Sequence, residues 1–357
     1  MKRKSIIIML GLVIPQILIA VRPSTEQMEF YNATTHGALI MEHIRVVDQD
    51  SIPVEAAKIW GGIQTGNGYH DYISVDGYTN TNGEFMVRGK CTNLLSLRIT
   101  KNGYYTTEFQ LSYRDATTET PKVRDGKWQP YNSQRVIILK KIVNPCPMVK
   151  DDGSCKKPPK LDEWIGYDLE LNQWVAPYGS GRHSDVLIRI HIDAVNDISD
   201  FKTSMEVSFT NNPYAGAYRL SKDSYSEMQS VYNADTDAAY LSSFLFVHER
   251  HPIFKQKPIV YVEGVNENDT RLDKKSYLVF RTRTEVDENG NLVSAHYGKI
   301  NGLWEFFGSM RAASILFNPT PNDTNLEDEY TAERSRKQQR QREAPPYKRK
   351  HKSIWPF

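Results

Sequence analysis

Cysteines and the short motifs of common enzyme classes are scarce in this chain. Its 357 residues include three cysteines, with no CxxC pair and no His-x-His spacing beside them, which disfavours a zinc site. A Gly-x-Ser-x-Gly elbow, a P-loop and a dinucleotide-binding fingerprint are also absent. The sequence therefore predicts no metal and no cofactor. It favours a protein without catalytic activity and leaves an enzyme open.

Long apolar runs are missing beyond the N-terminus. A basic start, Lys2 to Lys4, leads into an apolar segment over residues 6–20 that contains Pro15. This pattern predicts a secretory signal peptide over residues 1–20, cleaved after Ala20. An uncleaved membrane anchor is the alternative, although a spanning helix needs about 20 apolar residues. We expect an exported protein that is periplasmic, held in the cell envelope or secreted.

Positive charge is scarce in the body of the chain and concentrated at its C-terminal end. The formal net charge is +2, but residues 331–357 contain nine Lys or Arg against two Glu. The body is therefore acidic, and no nucleic-acid partner is expected, because phosphate binding needs a dense basic face. Residues 327–357 are predicted to be a charged, basic, disordered tail, within which residues 327–343 could form a transient helix. The tail could bind an anionic envelope polymer, a membrane surface or the acidic body itself, or serve only for solubility.

Short strand-like runs separated by turn signals are abundant. Tyr, Phe, Thr and Val recur in these runs, which predicts an all-β chain. Residues 38–142 form a first series of strands, typical of a β-sandwich. Within it, Asn82-Gly83 favours a hairpin turn, after which Glu84–Val87 is expected to pair back.

Three motifs in this first series resemble the carboxypeptidase regulatory-like domain. They are Pro53-Val54 followed by Ala57, the Asn-Gly-x-Phe segment at 82–85, and Lys-x-Gly-Tyr at 101–104. The resemblance covers roughly residues 40–142. It implies a transthyretin-like β-sandwich that serves as an accessory module in secreted and envelope proteins and has no catalytic residues of its own. Residues 115–132 are an insertion relative to that pattern.

The remainder of the chain is predicted to be a Pro-rich linker, 143–161, and a second antiparallel β-domain, 162–320. The Asn-Gly turn at 289–290 between two alternating runs predicts a hairpin over residues 277–300. The Trp-Val-Ala-Pro-Tyr-Gly-x-Gly segment at 174–181 resembles an uncharacterised family of secreted bacterial proteins that pair this block with a transthyretin-like module. That resemblance implies architecture and no activity.

Several residues are candidates for sites or cross-links. Cys146 and Cys155 could close a short disulfide loop, with free thiols as the alternative. Cys91 begins a strand-like run and is expected to be a buried small hydrophobe. Trp174 and Tyr178 are candidate binding residues, because exposed aromatic rings can stack on sugars. Core packing is the competing interpretation of these rings and of Trp60 and Trp304.

Polar residues alternate along Asp185 to Asp193, with His183 just before them. Two His and two carboxylates could contribute to a metal site, but residues two apart on a strand lie roughly 7 Å from each other. A solvated face with cross-strand ion pairs is the simpler interpretation. Ser180 and His183 are a further candidate pair for nucleophilic catalysis, although residues so close in sequence rarely form one.

Three functions fit these observations. The first is an exported, non-enzymatic, two-domain β-protein with a binding or envelope-structural role. The second is an envelope polysaccharide hydrolase with its site in residues 162–320. The third is a carrier or assembly factor recruited through the basic tail.

Overall fold

The computed structural model describes residues 23–343 except 67, 69–70, 117–121, 152–155, 198–199, 211–213, 221–231, 251–258, 264–276 and 307–309. The predicted signal peptide, residues 344–357 of the tail and Cys155 lie outside the described residues. Strands dominate and form four sheets in the described part, which confirms the prediction of an all-β, multi-domain protein. No helix in these ranges is long and apolar enough to span a bilayer.

Two sheets pack face to face in the N-terminal domain. Its elements are α1 (Thr25–His36), β1 (Ala38–Val47), β2 (Lys58–Gln64), β3 (Tyr72–Tyr78), β4 (Glu84–Cys91), β5 (Leu94–Thr100), β6 (Thr107–Ser112), α2 (Tyr113–Ala116), β7 (Val123–Arg124), β8 (Lys127–Trp128) and β9 (Ser133–Ile138). One sheet has the order β4-β1-β8-β7, with β9 also paired to β1, and the other has the order β3-β2-β5-β6. Alternate residues of both sheets bury a common apolar core.

The turn at Asn82-Gly83 joins the two sheets instead of forming the predicted hairpin. β3 pairs with β2, whereas Glu84–Val87 begins β4 and pairs with β1. The hydroxyl of Thr79 donates to the Val54 carbonyl (2.7 Å) and accepts from the Ala57 amide (2.8 Å). These bonds hold the end of β3 against the corner that contains Val54 and Ala57. The chain therefore leaves the β3 sheet here and enters the other sheet as β4. The Asn-Gly sequence determines that the chain reverses direction, but it does not determine which strand pairs with the segment that follows.

The insertion at 115–132 adds a core residue to this domain. Trp128 is fully buried, and its indole nitrogen donates to the Cys91 carbonyl (2.7 Å). Phe30 of α1 packs edge-on against it, with ring centroids 5.9 Å apart. α1 itself begins with a capping box in which Ser24 and Gln27 exchange hydrogen bonds.

Two further sheets form the second domain. Its strands are β10 (Val149–Lys150), β11 (Ile165–Asp168), β12 (Gln173–Trp174), β13 (Val186–Asp197), β14 (Asp200–Phe209), β15 (Gly216–Leu220), β16 (Ser243–Arg250), β17 (Ile259–Glu263), β18 (Tyr277–Val286), β19 (Leu292–Phe306) and β20 (Met310–Phe317). The sheet orders are β10-β20-β19-β18-β15 and β12-β11-β13-β14-β16-β17, with one apolar core between them.

The β18–β19 pair is the hairpin that the Asn-Gly turn predicts. Asp287 caps this turn, because its carboxylate accepts from the amides of Asn289 (2.9 Å) and Asn291 (2.7 Å). Gly290 supplies the positive φ of +82° that the turn needs. The short strand β10 comes from the predicted linker and pairs with β20, so part of the linker belongs to the second domain.

The structure differs from the predicted disorder over residues 327–343. Residues Glu329–Glu343 form a helix, α3, and Asp328 caps it by accepting from the Thr331 amide (2.7 Å). Ala332, Ser335 and Gln339 are buried at helical spacing. Two of these three are polar, so the apolar pattern that marks a packed helix in sequence is weak here.

Polar contacts join α3 to the N-terminal domain. The Gln339 side-chain amide donates to the carbonyls of Lys101 (2.8 Å) and Tyr104 (2.7 Å), and the Ser335 hydroxyl accepts from the Thr106 amide (3.1 Å). The corner at 101–106 is therefore covered by a helix that follows the second domain in sequence.

Candidate functional site

The two predicted binding aromatics lie in different environments. Trp174 is buried, its ring packs edge-on against Tyr167 at 4.9 Å, and its indole nitrogen donates to the Lys157 carbonyl (2.8 Å). Tyr178 is 38% exposed, with the Lys160 ammonium 5.9 Å from its ring centroid. The pair does not form a shared exposed platform, because only Tyr178 presents its ring to solvent. The side chain of Trp304 lies outside the described residues.

Cys91 and Cys146 are the cysteines in the described part of the chain, and both are at least partly buried. Cys91 is buried, as expected, and burial raises the pKa of its thiol to about 12. Burial likewise raises the pKa of Cys146 to about 11, and its backbone amide donates to the Glu327 carbonyl (2.7 Å). The predicted partner Cys155 lies outside the described residues, so the disulfide stays a prediction.

The outward side of β13 carries ion pairs. Arg189 makes a forked pair with Glu206 directly opposite it on β14, at 2.7 and 2.8 Å. His191 pairs with Asp162, and both side chains are exposed. These contacts match the solvated face that the alternation predicts, but Asp185, predicted on the same face, is buried because it pairs with Arg283 of the other sheet. No group of three or more His, Cys, Asp or Glu is placed to hold a metal in the described part of the chain.

A buried carboxylate cluster in the second domain escaped the sequence patterns. Arg283, on β18, donates to both oxygens of Asp185 (2.9 and 3.1 Å) and to Glu170 (2.6 Å), and it lies 3.4 Å from Asp168. Its backbone has a φ of +49°, which an L residue adopts at a cost. A β-bulge next to Thr282 places this side chain between the two sheets.

The carboxylate of Asp168 organises the loop that follows β11. It accepts from the amides of Glu170 (3.0 Å), Leu171 (2.9 Å), Arg182 (2.8 Å) and His183 (3.0 Å). Burial acts to raise its pKa, but these amides and the Arg283 guanidinium hold that pKa below its usual value. The cluster therefore fixes the 168–184 loop, and its carboxylates are already engaged by protein donors.

The outward face of the β3-β2-β5-β6 sheet, called here the outer face, has a different composition. Its residues, in rows across the sheet, are Tyr78, Lys58 and Thr100; Asp76, Trp60, Arg98 and Glu108; Ser74, Gly62, Ser96 and Gln110; and Tyr72, Gln64, Leu94 and Ser112. Aromatic rings thus lie near both ends. Between them, one row contains the small residues Ser74, Gly62 and Ser96, and the next contains Trp60 and charged side chains.

Tyr72 and Tyr78 are the exposed rings of the outer face. They are 41% and 60% exposed, lie on the same side of β3, and are six residues apart, which corresponds to about 20 Å. The Tyr72 ring packs over Gly62, where an added Cβ would lie 3.0 Å from it. Trp60 lies beneath the Arg98 guanidinium, 4.8 Å from its ring centroid. The result is a low central strip between two aromatic rings.

Charged side chains flank this strip. Lys58 pairs with Asp76 and lies 4.4 Å from the centroid of the Tyr78 ring. Arg98 pairs with Glu108 on β6. The outer face therefore offers hydrogen-bond donors and acceptors of both signs beside its rings.

Two recesses continue the outer face toward α3. The first, called here the sheet-end recess, has a volume of about 160 Å³ and is lined by Lys58, Tyr78, Thr100, Lys101 and Gln339 among others. The second, called the α3 recess, has a volume of about 340 Å³ and is lined by Asn102, Gly103, Ile142, Arg336, Gln339 and Arg340. Gln339 and Asn102 line both, so the two recesses are neighbours.

The sequence contained a signal for part of this surface. Tyr72, Ser74 and Asp76 alternate with Ile73 and Val75, which places both polar and aromatic groups on one side of β3. The recesses had no comparable signal, because their walls combine residues from positions 56–142 with a helix at 329–343.

Comparisons with known proteins give no family. No protein-family model matches the sequence, and no curated protein matches it significantly. Among solved structures, a 3-chlorocatechol 1,2-dioxygenase from Rhodococcus opacus 1CP matches at 14% identity and a TM-score of 0.25, over 30% of this chain and 62% of that one. BcpA, the major pilin subunit of Bacillus cereus, matches at 10% identity and a TM-score of 0.20, over 79% of this chain and 96% of that one. A streptococcal ancillary pilin matches at 11% identity and a TM-score of 0.17, over 66% of this chain and 62% of that one. Scores this low assign neither a fold family nor a function.

Proposed function

We propose that the protein is an exported, non-enzymatic binding protein whose N-terminal domain holds a polysaccharide of the cell envelope on its outer face. The observation that carries this proposal is the pair of exposed rings, Tyr72 and Tyr78, at opposite ends of β3 on the outer face, with small, polar and charged side chains between them. Sugar rings present apolar C–H faces that pack on aromatic rings, and their hydroxyls need the mixed donors and acceptors found beside the strip.

The size of the surface favours a polymer over a single sugar. The two rings lie about 20 Å apart along β3, and the strip between them is open to solvent at Ser74 and Asp76. An extended ligand can contact both rings at once, and each additional contact made by one chain adds to its affinity without a second binding event.

We also propose that residues 38–142 are a carboxypeptidase regulatory-like module. The support is the position of its turn motifs. Pro53 pairs with the end of β1, Gly83 takes a φ of +73° in the turn before β4, and Gly103 takes a φ of +81° in the corner after β5. An accessory module of that kind fits a binding role.

The alternative of a hydrolase with its site in 162–320 draws no support from the clustered carboxylates. Asp168 and Asp185 are buried and held by Arg283 and backbone amides. A glycosidase needs two carboxyl groups that face the scissile bond and a water.

Binding of the full chain to soluble polysaccharides tests the proposal. Neutral and uronate-bearing polymers are compared by isothermal titration. We expect Tyr72→Ala and Tyr78→Ala each to weaken binding several-fold, because one aromatic contact contributes roughly 0.5–1.5 kcal/mol. Tyr31→Ala, which removes an exposed ring from α1, is the matched control and should leave the affinity unchanged. The proposal is wrong if the variant with both Tyr72→Ala and Tyr78→Ala binds the polymers with wild-type affinity, or if the wild type binds no polymer.

A further inference from the structure

We infer that the α3 recess binds the anionic groups of an acidic polysaccharide whose chain lies on the outer face. This inference rests on the proposed function and names the ligand class: a polymer that carries carboxylate, sulfate or phosphate groups along its length. Its basis is the charge and shape of the recess, the way α3 is fixed beside it, and its continuity with the outer face.

Each recess has two cationic side chains in its wall, and the other described residues that line it are uncharged. Arg336 and Arg340 lie one helical turn apart on α3, so their side chains are neighbours on the same side of the helix. Lys58 and Lys101 line the adjoining sheet-end recess. No carboxylate occurs among the described residues that line either recess. Lys58 is already paired with Asp76, so an anionic group entering from the outer face meets the positive charge of Lys101 and of the two arginines.

The charge of the two arginines is only partly neutralised. Glu333 pairs with Arg340 and lies 3.7 Å from Arg336, so one carboxylate serves two guanidinium groups. Glu333 and Arg340 are exposed, and Arg336 is half-buried. Surface pairs of this kind are weak and exchange readily for another partner. Guanidinium groups also favour planar, two-oxygen recognition of carboxylate and phosphate.

A residue in the wall of the recess fixes α3 beside it. Gln339 lies between the two arginines in sequence and is bonded to the carbonyls of Lys101 and Tyr104. This fixes the rotation of α3 about its axis. Gly103 leaves open space beside its backbone, with no atom within 4 Å of where a Cβ would lie. A ligand group can therefore approach the corner closely.

Continuity with the outer face favours a polymer over a flat anionic membrane. Tyr78 and Lys58 belong to the outer face and also line the sheet-end recess, which shares Gln339 with the α3 recess. A single polymer chain can follow this path and insert successive groups. A planar bilayer cannot follow this path from the outer face into the two recesses.

Titration of the full chain with four probes tests the inference. The probes are polygalacturonate, heparin, a neutral dextran, and vesicles that contain phosphatidylglycerol. The double variant Arg336→Gln, Arg340→Gln is compared with Arg334→Gln, Lys337→Gln, which removes the same charge from exposed positions of α3. Gln keeps the helix propensity of both sites, and thermal unfolding of each variant checks that α3 stays in place.

We expect the recess variant to bind the acidic polysaccharides at least tenfold more weakly, and the affinity of the control variant to change by less than about twofold. The affinity of both variants should depend less on salt concentration than that of the wild type, because both have lost two positive charges. Polygalacturonate carries only carboxylates, whereas heparin also carries sulfates, so comparing the two affinities shows whether the recess prefers sulfate.

Equal affinity of the recess variant and the control overturns the inference, as does binding of vesicles without binding of acidic polymers. A protein that binds dextran through Tyr72 and Tyr78, with no gain for acidic polymers, keeps the proposed function and removes only this inference. If the tyrosine variants bind every polymer as tightly as the wild type, the proposed function itself is wrong.

Discussion

The hydroxyl of Tyr105 donates to the carboxylate of Glu327 across 2.9 Å, in a buried contact between residues 222 positions apart in the chain. The same carboxylate accepts from the backbone amides of Val143 (2.7 Å) and Asn144. Burial and the nearby negative charge raise the pKa of Tyr105, so the phenol remains a donor at neutral pH. This contact ties the N-terminal domain to the segment that leads into α3.

Tyr105→Phe should lower the free energy of unfolding by about 1–3 kcal/mol. The substitution keeps the ring and removes one donor from a buried carboxylate, which is the costly way to break a hydrogen bond. Chemical denaturation measures the loss, and Tyr31→Phe on the exposed surface of α1 is the control. An unchanged midpoint for Tyr105→Phe would show that the contact does not hold these segments together.

Gln339→Leu should destabilise the docking of α3 by about 1–3 kcal/mol, because two hydrogen bonds to the 101–104 corner are lost. Gln341→Leu makes the same chemical change at an exposed position of the helix and should have little effect. Hydrogen exchange of the α3 amides measures the difference. Equal protection in the two variants would mean that Gln339 does not anchor the helix.

Stability should depend on the ionisation of Asp328. Burial acts to raise its pKa, but the Lys299 ammonium at 2.9 Å and the Thr331 amide hold that pKa below its usual value. A carboxyl group whose folded pKa is lowered stabilises the fold above its unfolded pKa, near 4. That contribution is lost as the pH falls through the folded pKa.

Asp328→Asn should therefore be less stable than wild type at neutral pH, and the difference should shrink as the pH is lowered from about 6 to about 2. Urea denaturation across this range measures it, with Asp237→Asn at an exposed position as the control. A difference that stays constant across the range would rule out this linkage.

Arg283→Met should destabilise the second domain by about 3–5 kcal/mol, because Asp168 and Asp185 would be left as buried charges without a cation. Arg189→Met is the control, since Arg189 pairs with Glu206 at the surface and its loss should leave stability nearly unchanged. Calorimetry of both variants compares the transitions. Similar small effects would mean that Arg283 is not required to balance the cluster.

Local signals in the sequence predicted much of the strand pattern. The 277–300 hairpin forms around Asp287 and Gly290, as its Asn-Gly turn predicts. This element depends on contacts between residues close in sequence. The pairing of β4 was missed, because it depends on Thr79 bonding to Val54 and Ala57, more than twenty positions earlier.

The candidate site was also harder to find in the sequence, because it depends on contacts between residues that are far apart in the chain. Alternation along β3 places Tyr72 and Tyr78 on one side, but exposure depends on what covers the sheet. α3 lacks an apolar stripe, and its inward-facing Ser335 and Gln339 bond to backbone groups 229 to 238 positions away. Composition alone therefore favoured disorder for a segment that polar contacts hold in place.

Hydrogen exchange of the full chain, with and without saturating polygalacturonate, tests the proposed binding surface most directly. We expect slower exchange at residues 58–64, 72–78, 94–104 and 334–341, which form the outer face and the walls of the two recesses. Residues 186–209 and 277–300 of the second domain should be unchanged. Slowing confined to the second domain, or no slowing anywhere with either polygalacturonate or dextran, would contradict a polysaccharide-binding role for the N-terminal domain.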